Sequence, residues 1–154
     1  MFPIIIVGNS KEIAFSQQLT AALSKIGNVL HVSECRIFHK AGKEEDFVIV
    51  ETEGSKEIAV NCGVKIFKEP NVIIIESKAE EISCGMSAHD TISISSYFED
   101  RASVSLQKPI KGKNGTIEPK EVPIRLGTKY DKYVLMCLVA ILLLSGIDFD
   151  TLNL

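Results

Sequence analysis

The sequence predicts an α/β fold: a mostly parallel core sheet with covering helices, extended by an antiparallel β-meander. Three observations predict it. Residues 2–32 read as strand, tight turn, helix and strand; residues 46–51 and 71–76 are short apolar runs; and residues 91–126 repeatedly alternate apolar with polar. Continuous β-branched runs suit strands covered on both faces, whereas period-2 alternation suits strands with one face in water.

Ile4, Ile5, Ile6 and Val7 follow one another without alternation, which makes 3–7 a strand layered on both sides. Asn9 is placed to cap the next helix, with Glu12 in the capping-box position. Phe15, Leu19, Ala22, Leu23 and Ile26 share one helical face, and Gly27 supplies the left-handed stop that ends helix 10–26. A right-handed crossover then sets 29–32 parallel to the first strand. Residues 33–45 are polar and read as loop, 46–51 as the third strand, 55–61 as a short helix and 64–67 as a short strand. The parallel core is expected from 3–7, 29–32, 46–51 and 71–76.

Farther on, 91–96, 102–106 and 122–126 alternate, so antiparallel strands are expected across 91–126. Asn114-Gly115 is a hairpin signal, and it makes 107–113 and 116–121 the arms of a ribbon. A last helix, 128–146, is expected to start at a Thr128 cap with Asp131 at the third position. Its middle is apolar on every side, so it should lie under other elements.

A chain of 154 residues is long enough for one domain with a real core and short for two. A single domain over 1–154 is expected, with a parallel part about 1–80 and the meander and last helix about 90–147. Apolar residues at 45% exclude global disorder. A net charge of −3 offers no electrostatic handle for nucleic acid or an anionic membrane. The apolar run 134–144 is too short for a bilayer, which takes about 20 residues. No basic region precedes the first apolar run, so no secretory signal is expected. Cys35, Cys62, Cys84 and Cys137 are widely spaced without a C-x-x-C pair, which favours reduced thiols and a cytoplasmic setting. His31, His39 and His89 form no ligand cluster with them, so no metal site is expected.

Candidate chemistry is confined to a few stretches. Gly8, Asn9, Ser10 and Lys11 follow the first strand, where backbone N–H groups and a helix dipole attract anions. Gly8 has no second glycine and no Lys-Ser/Thr pair after it, so neither a Walker loop nor a dinucleotide fingerprint is complete. Glu51-Thr52-Glu53-Gly54 ends the third strand. With the order of elements over 2–76, it resembles the strand-end D-x-x-G of P-loop NTPases of the partition-ATPase type. There an acid handles Mg²⁺ and the glycine N–H senses the γ-phosphate; here Glu stands for the acid. The resemblance implies a nucleotide-binding-type fold with a degenerate Walker motif. Its candidate ligand-binding residues are Gly8, Asn9, Ser10, Lys11, Glu51 and Gly54, and a nucleotide is the cofactor it would bring.

Cys84, His89 and Asp90 lie within seven residues and suggest a nucleophile and its base. A thiol needs a base in hydrogen-bond reach or a positive helix terminus, and triads normally draw on separate elements. The structural alternative is a turn capped by Ser87 or Asp90, with Gly85 at positive φ. Lys108, Lys111, Lys113, Lys120 and Arg125 surround the hairpin, with no aromatic between Phe98 and Tyr130. Protection of sheet edges explains them better than nucleic-acid binding does. The expectation is therefore a non-catalytic binding or scaffolding module that works without a cofactor on a protein partner or a second copy, with no nucleic acid and no membrane. The alternatives are a small enzyme using the Cys84–Asp90 loop, or a weak Mg²⁺-dependent nucleotide hydrolase using Lys11 and Glu51.

Overall fold

The computed structural model describes residues 80–146 continuously and, before them, residues 3–7, 17–18, 20–22, 24, 28–32, 48–51, 59–60, 64–68 and 73–74. The chain divides into two compact units, Met1–Glu81 and Ile82–Leu154.

In the first unit, β1 (Pro3–Val7) pairs in parallel with β2 (Asn28–Val32) and with β3 (Val48–Glu51). A two-residue strand, β4 (Ala59–Val60), comes next, and then β5 (Val64–Phe67), which pairs in parallel with β3. β6 (Ile73–Ile74) pairs with β4 in a separate two-stranded sheet. Residues 17, 18 and 20–22 are helical. β7 (Glu80–Ser83) comes last in the sheet order β2-β1-β3-β5-β7 and runs across the division between the units.

The second unit is antiparallel. β8 (Ile92–Tyr97) and β9 (Arg101–Leu106) form a hairpin, and β12 (Lys120–Arg125) lies on the other side of β9. Between β9 and β12, β10 (Ile110–Gly112) and β11 (Gly115–Ile117) make a small ribbon. Asn114-Gly115 turns it, with Gly115 at φ 119°, a conformation that favours glycine. Alternation does what the pleat requires. Ala102, Val104, Leu106, Val122 and Ile124 are buried, while Arg101, Glu121, Pro123 and Arg125 are exposed. Pro123 and the flanking cations suit β12 to a sheet edge.

The unit is completed by helix α1 (Lys132–Ser145), which packs against β8 and β10. Every residue from Tyr133 to Leu144 is buried. Asp131 is its N-cap, accepting from the N–H of Tyr133 at 2.8 Å and of Val134 at 3.3 Å. Gly146 ends it at φ 66°, its N–H directed to the Leu142 and Leu143 carbonyls. The Leu144 carbonyl accepts from the Lys113 N–H at 2.9 Å, so the ribbon satisfies a helix-end acceptor.

Before α1, the Tyr97 hydroxyl donates to the Tyr130 carbonyl at 2.6 Å and accepts from the Tyr130 N–H at 3.0 Å. One phenol thus ties the entry to α1 back onto the end of β8. Tyr97→Phe leaves both backbone groups without this partner and is expected to lower stability by about 1–3 kcal/mol in urea unfolding.

These observations correct the sequence reading in several places. The single, mostly parallel core sheet with covering helices is replaced by strands divided among four sheets, and antiparallel pairing builds the part described without a break. The segment read as helix 128–146 packs on antiparallel strands instead of covering a parallel core. Residues 73–74, within the expected core strand 71–76, pair with β4 outside the five-stranded sheet. Ala59–Val60 is a strand where a short helix was expected. The last helix starts at Asp131 instead of Thr128, because the Asp131 carboxylate reaches the free N–H groups. An α/β, P-loop-like fold with a degenerate Walker motif is accordingly set aside.

Candidate functional site

The stretch with the most reactive side-chain types, 84–91, folds as a tightly bonded turn between β7 and β8. Cys84 forms an isolated parallel bridge to Ile92, and the Gly85 N–H donates to the Ile92 carbonyl at 3.1 Å. Asp90 Oδ2 accepts from the Ser87 N–H at 3.0 Å, and Ser87 Oγ accepts from the His89 N–H at 3.2 Å. Gln107 Nε2 donates to the Ser87 carbonyl at 3.0 Å and the Asp90 carbonyl at 2.9 Å, while Lys108 Nζ donates to the His89 carbonyl. Thr91 and Ser83 are joined through their hydroxyls and backbone N–H groups. Gly85 is needed for room: a Cβ there would overlap the Asp90 carboxylate. The positive φ expected for it belongs, among the described glycines, to Gly115 and Gly146.

Within this turn the three candidates separate. Cys84 has no exposure to solvent, whereas His89 is exposed at the tip and Asp90 is half-buried. Burial pushes the Cys84 thiol well above its ordinary value. Its hydrogen bond to Cys137 of α1 raises it further, as do the charges of Cys137 and Asp90 nearby. A catalytic thiol needs the opposite environment, electropositive and open to substrate. Asp90 serves the turn, its carboxylate accepting from the Ser87 N–H three residues before it.

The exposed face of the β8-β9-β12 sheet carries a second group. Glu121 sits opposite Ser105 in register, and its Oε2 accepts from Ser95 Oγ and Ser103 Oγ, both at 2.7 Å. Ser95 reaches it because the register shifts between Ile94 and Ser96, a bulge that re-aims this hydroxyl. Hydrogen bonds from Ser95, Ser103 and Ser105 hold the carboxyl below its usual range, against a small opposing effect of burial. The unfolded Glu, near 4.3, binds its proton before the folded one does. The stabilisation is thus present above that value and lost as pH falls through the lowered folded value. Acid melting of wild type should therefore be steeper than that of Glu121→Gln, measured by circular dichroism between about pH 2 and 6.

Toward the hairpin end of the same face, Arg101 and Arg125 are register partners, both exposed and neither in an ion pair among the described residues. Like charges directly opposite each other are unfavourable in a sheet. The Arg101 guanidinium lies 5.4 Å from the centre of the Phe98 ring, and Phe98 is 58% exposed. Sequence reading included Arg125 in a basic scatter but missed its pairing with Arg101, which lies 24 residues away and becomes visible only with the register.

Of the other candidates, Glu51 is the last residue of β3, opposite Val7. Gly8, Asn9, Ser10, Lys11 and Gly54 lie outside the described residues, as does their grouping with Glu51. Among the described residues no set of three His, Cys, Asp or Glu side chains is placed to hold a metal ion, and no helix is long and apolar enough to cross a membrane.

No protein-family model matches the chain, and neither a curated protein nor a solved structure matches it. The resemblance to partition-type P-loop NTPases is thereby corrected: nothing similar supports it, and the antiparallel second unit departs from a parallel-core fold.

Proposed function

We propose that this protein is a non-catalytic binding module that takes a protein partner with an acidic surface, through the sheet face around Phe98, Arg101 and Arg125. The observation that carries the reading is the Arg101–Arg125 register pair, in which neither arginine makes an ion pair among the described residues, beside the exposed Phe98 ring. Arginine and aromatic residues are the types that concentrate binding energy at interfaces. Two cations facing each other lose their mutual repulsion when a carboxylate docks between them. The non-catalytic half is supported by Cys84, whose burial and protonation leave it unsuited to attack a substrate. No cofactor enters the reading. A cytoplasmic, reducing setting suits two buried cysteines that are both free.

The test begins with capture from a lysate of the source cells and ends with each captured protein purified and rebound. A purified partner whose affinity falls tenfold or more with Arg101→Glu plus Arg125→Glu, and is unchanged by Cys84→Ala, supports the reading. Equal binding of wild type and the double variant by every purified partner contradicts it.

A further inference from the structure

Asn114-Gly115 is the chain's one Asn-Gly pair, and it sits exposed at the turn of the β10–β11 ribbon. A backbone nitrogen that attacks the side-chain amide before it is hindered by its own residue's Cβ, and glycine has none. The space around Gly115 is open, since a Cβ built there would meet nothing within 4 Å. Among the described residues the Asn114 side chain makes no hydrogen bond, so turning it toward the Gly115 nitrogen breaks none. The ribbon has three register pairs, and a two-stranded ribbon that short opens readily.

The same side chain lies against the end of α1. A Cβ added at Gly146, the residue that closes the helix, would come within 2.8 Å of the Asn114 amide nitrogen. Next to it in the ribbon, the Lys113 N–H holds the Leu144 carbonyl at 2.9 Å. The last turn of α1 carries no basic residue, so the negative end of its dipole is not offset from within the helix. The Lys113 side chain is exposed, and water and salt screen its charge.

We propose that Asn114 is a deamidation site, with water as co-reactant, and that its product sets a negative charge against the C-terminal end of α1. The Gly115 nitrogen, having lost its proton to base, bonds to Asn114 Cγ. The Cγ–Nδ2 bond breaks, and ammonia leaves with a proton taken from solvent. Water then opens the succinimide at either of its two carbonyls, giving aspartate or isoaspartate, with no electrons transferred. In both products a neutral amide becomes a carboxylate, which the helix end repels. Isoaspartate also lengthens the main chain by one carbon, which displaces the Gly112–Gly115 pairing. Either product loosens the ribbon from the helix whose Leu144 carbonyl it satisfies, so the age of the chain is written into its stability.

The experiment holds the purified full chain in warm, mildly alkaline buffer and samples it over time. Each sample is digested and mapped by mass, with fragmentation that separates aspartate from isoaspartate. Asn114 is expected to convert about tenfold or more faster than Asn9, Asn28, Asn61, Asn71 or Asn153, because it alone precedes glycine. Asn114→Asp, which installs the charge without lengthening the chain, should melt a few degrees below both wild type and Asn114→Gln. That gap should shrink in high salt. Survival of Asn114 for as long as the other asparagines overturns the site, and Asn114→Asp melting together with wild type overturns its coupling to α1. Should a variant not fold, aged wild type separated by charge into intact and deamidated fractions decides instead, and equal melting of the two fractions overturns the coupling.

Discussion

Leu138→Ala is expected to cost about 2–5 kcal/mol, the range for truncating a fully buried leucine whose surroundings cannot collapse into the space left. Leu138 has no exposure and lies in the middle of α1, buried from Tyr133 to Leu144. A helix on a sheet normally keeps one polar face on which a cavity can relax. This one has none over those residues, so the cost belongs in the upper part of the range. Urea unfolding should show a large fall in midpoint at nearly constant slope. Met86→Ala, at a side chain 62% exposed, is the control and should change stability by less than about 0.5 kcal/mol.

The second large effect is a loss of stability at alkaline pH. In the unfolded chain Cys84 ionises near pH 8.5, whereas in the folded protein burial and its contact with Cys137 keep it protonated to higher pH. Above about pH 8.5 the folded state therefore holds one more proton than the unfolded state. The contribution of Cys84 is fully present below that pH and is lost as pH rises toward the folded value. The limiting slope for one proton is about 1.4 kcal/mol per pH unit. Other groups also titrate there, so the informative quantity is the difference from Cys84→Ala. That variant should lose stability less steeply between about pH 8.5 and 10.5.

Much of the second unit is legible locally. The alternation in 102–106 specifies which side of β9 is buried, and Asn114-Gly115 specifies the ribbon turn. The end of α1 is equally visible, because Gly146 follows an apolar run and can take the left-handed conformation. Its start was not. Thr128 and Asp131 are both chemically able to cap, and the choice falls after Tyr130, whose backbone is held by Tyr97 from another strand. Sheet partition was hidden for the same reason. The run 71–76 looks like 3–7, but an apolar pattern reports burial without naming the strand that provides the pairing. The proposed surface was only half visible, since Arg125 acquires its meaning from Arg101 across the register. The Cys84, His89 and Asp90 cluster misled in the opposite direction. Nearness in sequence suggested shared chemistry, while the strand bridge turns Cys84 inward and leaves His89 exposed.

The distinction between a binding module and a thiol enzyme is tested most directly by the alkylation rate of Cys84 in the native, reduced protein. The measurement is iodoacetamide labelling from about pH 6 to 9, followed residue by residue by mass spectrometry and compared with the urea-unfolded chain. A structural Cys84 should react about a hundredfold or more slowly when folded, because reagent must wait for local opening. Its rate should also show no plateau at low pH. Fast labelling of the folded protein, with a rate that levels off below pH 7, would reveal an accessible thiolate and contradict the non-catalytic reading.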